Sequence, residues 1–138
     1  MVLVKVDDRE PDVVFEIMKE LEITTVRCRM DEGDYVWNDV VVERKTIDDF
    51  CGSIIDGRLK NQVEKMRQKF PFIYVVVVGN IGDRTSEIHE NCILGMLASL
   101  AVKGVQFLMV DNERQFCYLV KRIFERYEEV RNEKKDNK

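Results

Sequence analysis

One histidine and no Cys-x-x-Cys pair occur in the 138 residues, so the chain has no zinc-finger framework and no His-rich metal cluster. Its four cysteines, Cys28, Cys51, Cys92 and Cys117, are scattered and read as reduced core residues. No apolar run approaches the ~20 residues needed to cross a bilayer; the longest, Phe72 to Val78, has the length of a strand. The N-terminus lacks the basic and long apolar regions of a secretory signal, so an intracellular protein with no membrane partner is expected. Excess positive charge is also missing. The net charge of −4 argues against a protein that coats nucleic acid, although a whole-chain sum hides local clusters. Internal repeats and low-complexity linkers are absent.

What is present is enough apolar sequence for one core, 45% of residues, in a chain the length of one domain. Strand patterns at Val2–Asp7, Ile23–Arg29, Gly33–Trp37, Val40–Arg44, Phe72–Val78 and Val105–Val110 alternate with helical ones. Asp8-Arg9-Glu10-Pro11 opens the first helix, Thr46 caps the second, and Arg58 to Lys69 forms a charged third ended by Pro71. A fourth runs from Ser86 to Gly104. The last carries Phe116, Leu119, Val120, Ile123, Phe124 and Tyr127 at helical spacing. The expected fold is a three-layer α/β domain over residues 1–130, with a mixed sheet between helices. The polar residues 131–138 are expected to fray.

The stretch VVVERK, from Val40 to Lys45, passes directly from buried strand to charge. With Asn38-Asp39 as a two-residue hairpin loop, Asp34 falls opposite Glu43, and opposed side chains on one face stand about 4.5–5.5 Å apart. Two carboxylates so placed repel unless a proton or a cation sits between them. Alternation puts Lys45 on the face of Glu43 and Arg44 on the other. Asp with Glu-x-Lys suits metal-dependent phosphodiester hydrolysis. Magnesium keeps several waters and needs only one or two carboxylates, and a lysine nearby stabilises growing negative charge. Gly57 to Phe70 adds Arg58, Lys60, Lys65, Arg67 and Lys69 against Glu64 alone. This is either a solvated helix face or a phosphate-binding one.

Gly33-Asp34-Tyr35 followed by Glu43-Arg44-Lys45-Thr46-Ile47-Asp48-Asp49 resembles the GD…ERKxxxD signature of the XPF/Hef nucleases, within the PD-(D/E)xK superfamily. Asp7-Asp8-Arg9-Glu10 resembles that family's D-x-R-E, and Ser53 to Leu59 with Gln62 its SI-x-DGR-L…Q segment. The resemblance implies a restriction-endonuclease-like fold and a Mg²⁺- or Mn²⁺-dependent endonuclease acting on branched DNA such as flaps and forks. It makes Asp34 and Glu43 the metal ligands, Lys45 the catalytic lysine, and Asp7 and Asp49 further acids of the site. Arg9, Arg44, Arg58 and Gln62 become candidate DNA contacts. For Arg44 a structural salt bridge is an equal alternative; Asp49 alone would read as a helix-dipole acid and Asp7 as a turn former. The resemblance also implies a homodimer through 86–103 and 112–130. Helix-hairpin-helix modules, which members of the family commonly carry, find no match after Val130, so either a minimal nuclease is expected or a dimer mate or separate partner that targets the DNA. The alternatives are a non-catalytic partner subunit and a junction-resolving nuclease.

Overall fold

The computed structural model describes residues 2–136. Six strands form one mixed sheet in the order β2-β1-β3-β4-β5-β6. In chain order these are β1 (Leu3–Asp7), β2 (Thr24–Cys28), β3 (Tyr35–Trp37), β4 (Val40–Thr46), β5 (Phe72–Val78) and β6 (Gln106–Val110). The helices are α1 (Asp12–Glu20), α2 (Ile47–Ile55), α3 (Arg58–Lys69), α4 (Glu90–Val102) and α5 (Glu113–Asp136). The β3–β4 hairpin has the register expected from its Asn38-Asp39 loop, with Trp37 on Val40, Val36 on Val41 and Tyr35 on Val42. Asn38 takes a positive φ of 51°, which asparagine tolerates better than most residues.

Strand alternation divides the core in two. Val4, Val6, Tyr35, Val40, Val42 and Val76 pack under α1 and α5 with Phe116, Val120 and Phe124. Val41, Val75 and Val77 pack on the other face with Phe50, Leu59, Val63, Met66 and Ile93 from α2, α3 and α4. Continuing the alternation along β4, Glu43 and Lys45 follow Val41 onto the α2/α3 side, while Arg44 follows Val42 toward α1 and α5. β5 is covered on both faces, as its uninterrupted apolar run requires. No helix among the described residues is long and apolar enough to cross a membrane.

Two boundaries differ from the sequence pattern. The fourth helix begins at Glu90 rather than Ser86, because His89 caps it by accepting the Asn91 N–H on Nδ1. Residues 84–88 instead lie outside any helix, with Arg84 donating to the Ile81 and Ile88 carbonyls. α5 continues past Val130 through Asp136, where the sequence suggests fraying, and Arg131 there pairs with Asp39 and lies over the Trp37 ring. Asn137 and Lys138, the end of that expected tail, lie outside the described residues.

Gly33 is fixed by close approach as well as conformation. Its φ is +78°, and a Cβ there would lie 2.2 Å from Cγ2 of Val41. Val41 is fully buried and has little room to move. Gly33→Ala should therefore cost about 1–3 kcal/mol, read as a lower urea midpoint at unchanged slope. An unchanged midpoint would mean that the loop before Asp34 is free to relax.

Candidate active site

The hairpin ladder ends at Tyr35 and Val42, and beyond it Asp34 changes its bonding. Its N–H donates to the Val42 carbonyl at 3.0 Å, its carbonyl accepts from the Asp7 N–H at 2.8 Å, and its Oδ2 accepts from the Arg44 N–H at 2.9 Å. A side chain thus takes over where the backbone ladder stops. The Asp34 and Glu43 carboxyls stand close enough to bias each other's protonation. Asp34 is pushed well above the usual carboxylate range by burial first, then by the charges of Glu43 and Glu10, against the pull of the Arg44 N–H. Glu43, 8% exposed, is also raised by burial, which outweighs the opposing attraction of Lys45. Lys45 Nζ stands 3.5 Å from Glu43 Oε2 and is itself buried.

These carboxyls open onto a cleft of about 340 Å³ whose walls include Arg9, Glu32, Gln62 and Lys65. Gln62 Oε1 is buried there with no hydrogen-bond partner. An unsatisfied buried acceptor needs a donor, such as a metal-bound water or a substrate group. Two carboxylates at a polar cleft, with an unpaired amide oxygen beside them, are hard oxygen donors of the kind Mg²⁺ or Mn²⁺ takes with several retained waters. Among the described residues no three His, Cys, Asp or Glu side chains converge as a fuller metal site.

Asp7 comes to the same end of the sheet, but its carboxylate is fully engaged. Oδ1 accepts from the N–H and Nε of Arg9, both at 2.9 Å, and Oδ2 from Arg9 Nη2 at 2.7 Å and the Met30 N–H at 3.2 Å. The Arg9 side-chain bond, opposed by burial, holds its pKa at about 2. In this arrangement Asp7 orders the 30–34 loop through Arg9 and Met30. Asp49 is exposed on the first turn of α2, where its N–H donates to Thr46 Oγ1 at 3.2 Å; it is not brought into the cleft. Arg58 is exposed and bound to Asp56.

Arg44 resolves between its two roles. Only 10% exposed, it pairs with Glu10 at 2.8 Å and Glu113 at 3.3 Å behind the sheet, so the geometry supports the salt bridge and not a DNA contact. Burial works against its charge, but the Glu10 bond prevails and holds it protonated. Tyr35 Oη also donates to Glu10, and burial followed by that carboxylate raises the phenol. Glu113 carried no signal in the motif pattern. A buried arginine on the far face does require an acid, and α5 offers Glu113 in its first turn.

The sequence profile of the ERCC4 domain matches residues 6–123. The 3′-flap repair endonuclease Xpf of Saccharolobus solfataricus is 37% identical over 79 residues, covering 56% of this chain and 34% of that protein. The crossover junction endonuclease mus-81 of Neurospora crassa is 30% identical over 104 residues, covering 68% of this chain and 16% of that one. The chain therefore spans about a third or less of the curated relatives it matches. Among solved structures, XPF from Aeropyrum pernix superposes with a TM-score of 0.83 at 25% identity, over 94% of this chain and 68% of that one. With its six-stranded sheet, acid pair and lysine, this chain belongs to the ERCC4-domain family as an XPF-type nuclease domain with a restriction-endonuclease-like fold.

Proposed function

We propose that this domain hydrolyses phosphodiester bonds in branched DNA, such as flaps and forks, with Mg²⁺ or Mn²⁺ held by Asp34 and Glu43. The observation that carries this reading is the Asp34–Glu43 acid pair at a polar cleft, with Lys45 3.5 Å from Glu43. Such a pair is costly in a fold and becomes favourable when a divalent cation sits between the two acids. The bound metal would supply an activated water and neutralise charge on the phosphate. Lys45 places its ammonium where that charge grows, and the β-branched run behind it keeps the strand end rigid. Gln62 offers its unpaired amide oxygen to the same cleft, and Arg58 supplies a phosphate contact. The names of the flap and crossover-junction relatives favour branched DNA over linear duplex. The exposed apolar residues Leu94 and Val102 on α4 and Tyr118 on α5 support pairing with a second copy through 86–103 and 112–130.

The test separates metal binding from turnover. Because both carboxyls sit above their ordinary values, the folded chain keeps protons that the unfolded chain sheds. Metal-free stability contributed by the pair therefore falls as pH rises through and above the ordinary carboxylate range. In chelator at pH 7, Glu43→Gln should melt at or above the wild type, and the difference should close on acidification. Added Mn²⁺ should raise the melting temperature of the wild type and do little for the variant. Equal Mn²⁺ responses would remove the metal assignment. Cleavage of flap, fork, four-way junction and linear duplex then ranks the substrates, and absence of metal-dependent cutting on all four would leave a DNA-binding partner subunit.

A further inference from the structure

Between α2 and α3 the chain turns through Asp56-Gly57-Arg58, with Asp56 closing one helix and Gly57, at φ 79°, opening the next. Asp56 Oδ1 accepts the Arg58 N–H at 3.0 Å, and its Oδ2 accepts Arg58 Nε at 2.7 Å. The two terminal guanidinium nitrogens, Nη1 and Nη2, have no hydrogen-bond partner among the described residues, and the Arg58 side chain is 55% exposed. A Cβ added to Gly52 would lie 3.8 Å from Arg58 Nη2, so the guanidinium lies across the last part of α2. Asp56 is held below the ordinary carboxylate range, first by the Arg58 side-chain bond, then by the Arg58 N–H and charge, with Lys45 adding from farther off. The turn therefore sits within electrostatic reach of the candidate catalytic lysine.

An exposed ion pair of this kind contributes little to stability, and an acid beside a phosphate-binding patch opposes binding. What Asp56 does supply is direction. A guanidinium is a planar fork, and fixing it at Nε leaves its Nη1/Nη2 end turned outward as a paired donor for a phosphate. We propose that Asp56 is a positioning residue that presents this end of Arg58 to a phosphate of the bound DNA strand, on the Lys45 side of the acid pair. The proposal rests on the nuclease reading above.

Asp56→Asn isolates the contact. The amide oxygen still accepts the Arg58 N–H, but the amide nitrogen cannot accept from Nε. Flap-DNA dissociation constants across a salt series, turnover at saturating DNA and melting temperatures are measured for the wild type, Asp56→Asn, Arg58→Ala and the double variant. Asp56→Asn is expected to melt with the wild type and bind no more weakly, because it loses an acid, yet to turn over roughly tenfold slower. Arg58→Ala should flatten the salt slope by about one phosphate contact and also slow turnover. In that background Asp56→Asn should change turnover no further, since both act through one guanidinium. Wild-type turnover by Asp56→Asn, or a loss that adds to that of Arg58→Ala, overturns the proposal while leaving the nuclease reading standing. A wild type that cuts no DNA with either metal overturns both.

Discussion

Lys45→Ala and Asp34→Ala should each slow cutting of a flap or fork by on the order of 10²–10³-fold at saturating DNA, with affinity unchanged within a few fold. Asp34 lines the cleft, Lys45 stands 3.5 Å from Glu43 on the α2/α3 side of β4, and neither belongs to the exposed cationic surface of α3. Their contribution is to charge that appears only as the phosphate is attacked, so turnover suffers and binding does not. Removing Asp34 also relieves the repulsion at Glu43, so Asp34→Ala should bind DNA as well as the wild type or slightly better. Single-turnover cleavage with excess enzyme reads the chemical step directly. Near-normal cutting by Asp34→Ala in Mg²⁺ would remove the acid pair from the mechanism, and a parallel fall in affinity would make Lys45 a binding residue.

The largest loss of stability is expected from Arg44→Met. The substitution preserves bulk but leaves Glu10 and Glu113 facing each other's charge behind the sheet, with Glu10 only 10% exposed. Breaking a buried ion pair from one side costs about 3–5 kcal/mol, because the abandoned charge stays buried. Urea denaturation of the purified domain measures this without DNA. Arg44→Met combined with Glu10→Gln should recover part of the loss, since no unpaired charge then remains at Glu10. A variant as stable as the wild type but weak in DNA binding would restore the DNA-contact role that the buried geometry does not support.

Local chemistry made much of this arrangement readable from sequence. The hairpin loop sets the register that brings Asp34 to Glu43, Thr46 caps α2, and the ends of α3 and β5 fall where Gly57, Pro71 and the apolar run place them. What escaped the pattern depends on residues far apart in the chain. Arg44 meets Glu10 and Glu113 across sequence separations of 34 and 69. Which charge a buried arginine finds is decided by how α5 packs, and periodicity does not encode that. Asp7 looks like a free acid in a motif until Arg9 folds back on it. Asp49 shares the motif with Asp34 yet belongs to an exposed helical turn. Ser86 to His89 have ordinary helical composition, but the His89 cap and the Arg84 contacts hold them outside the helix.

Glu43 and Arg44 are neighbours in sequence with opposite destinations, one in the cleft and the other in a sealed ion pair behind the sheet. Chain length is thereby constrained as tightly as residue identity. One residue inserted between Val42 and Glu43 would rotate everything beyond it by a face, turning the arginine toward the cleft and an acid toward the aromatic core of Phe116 and Phe124. The same insertion at Asn38-Asp39 leaves the alternation within β4 intact but changes the loop length that sets Asp34 opposite Glu43. From its tip to Lys45 this hairpin therefore admits substitution more readily than it admits a change in count.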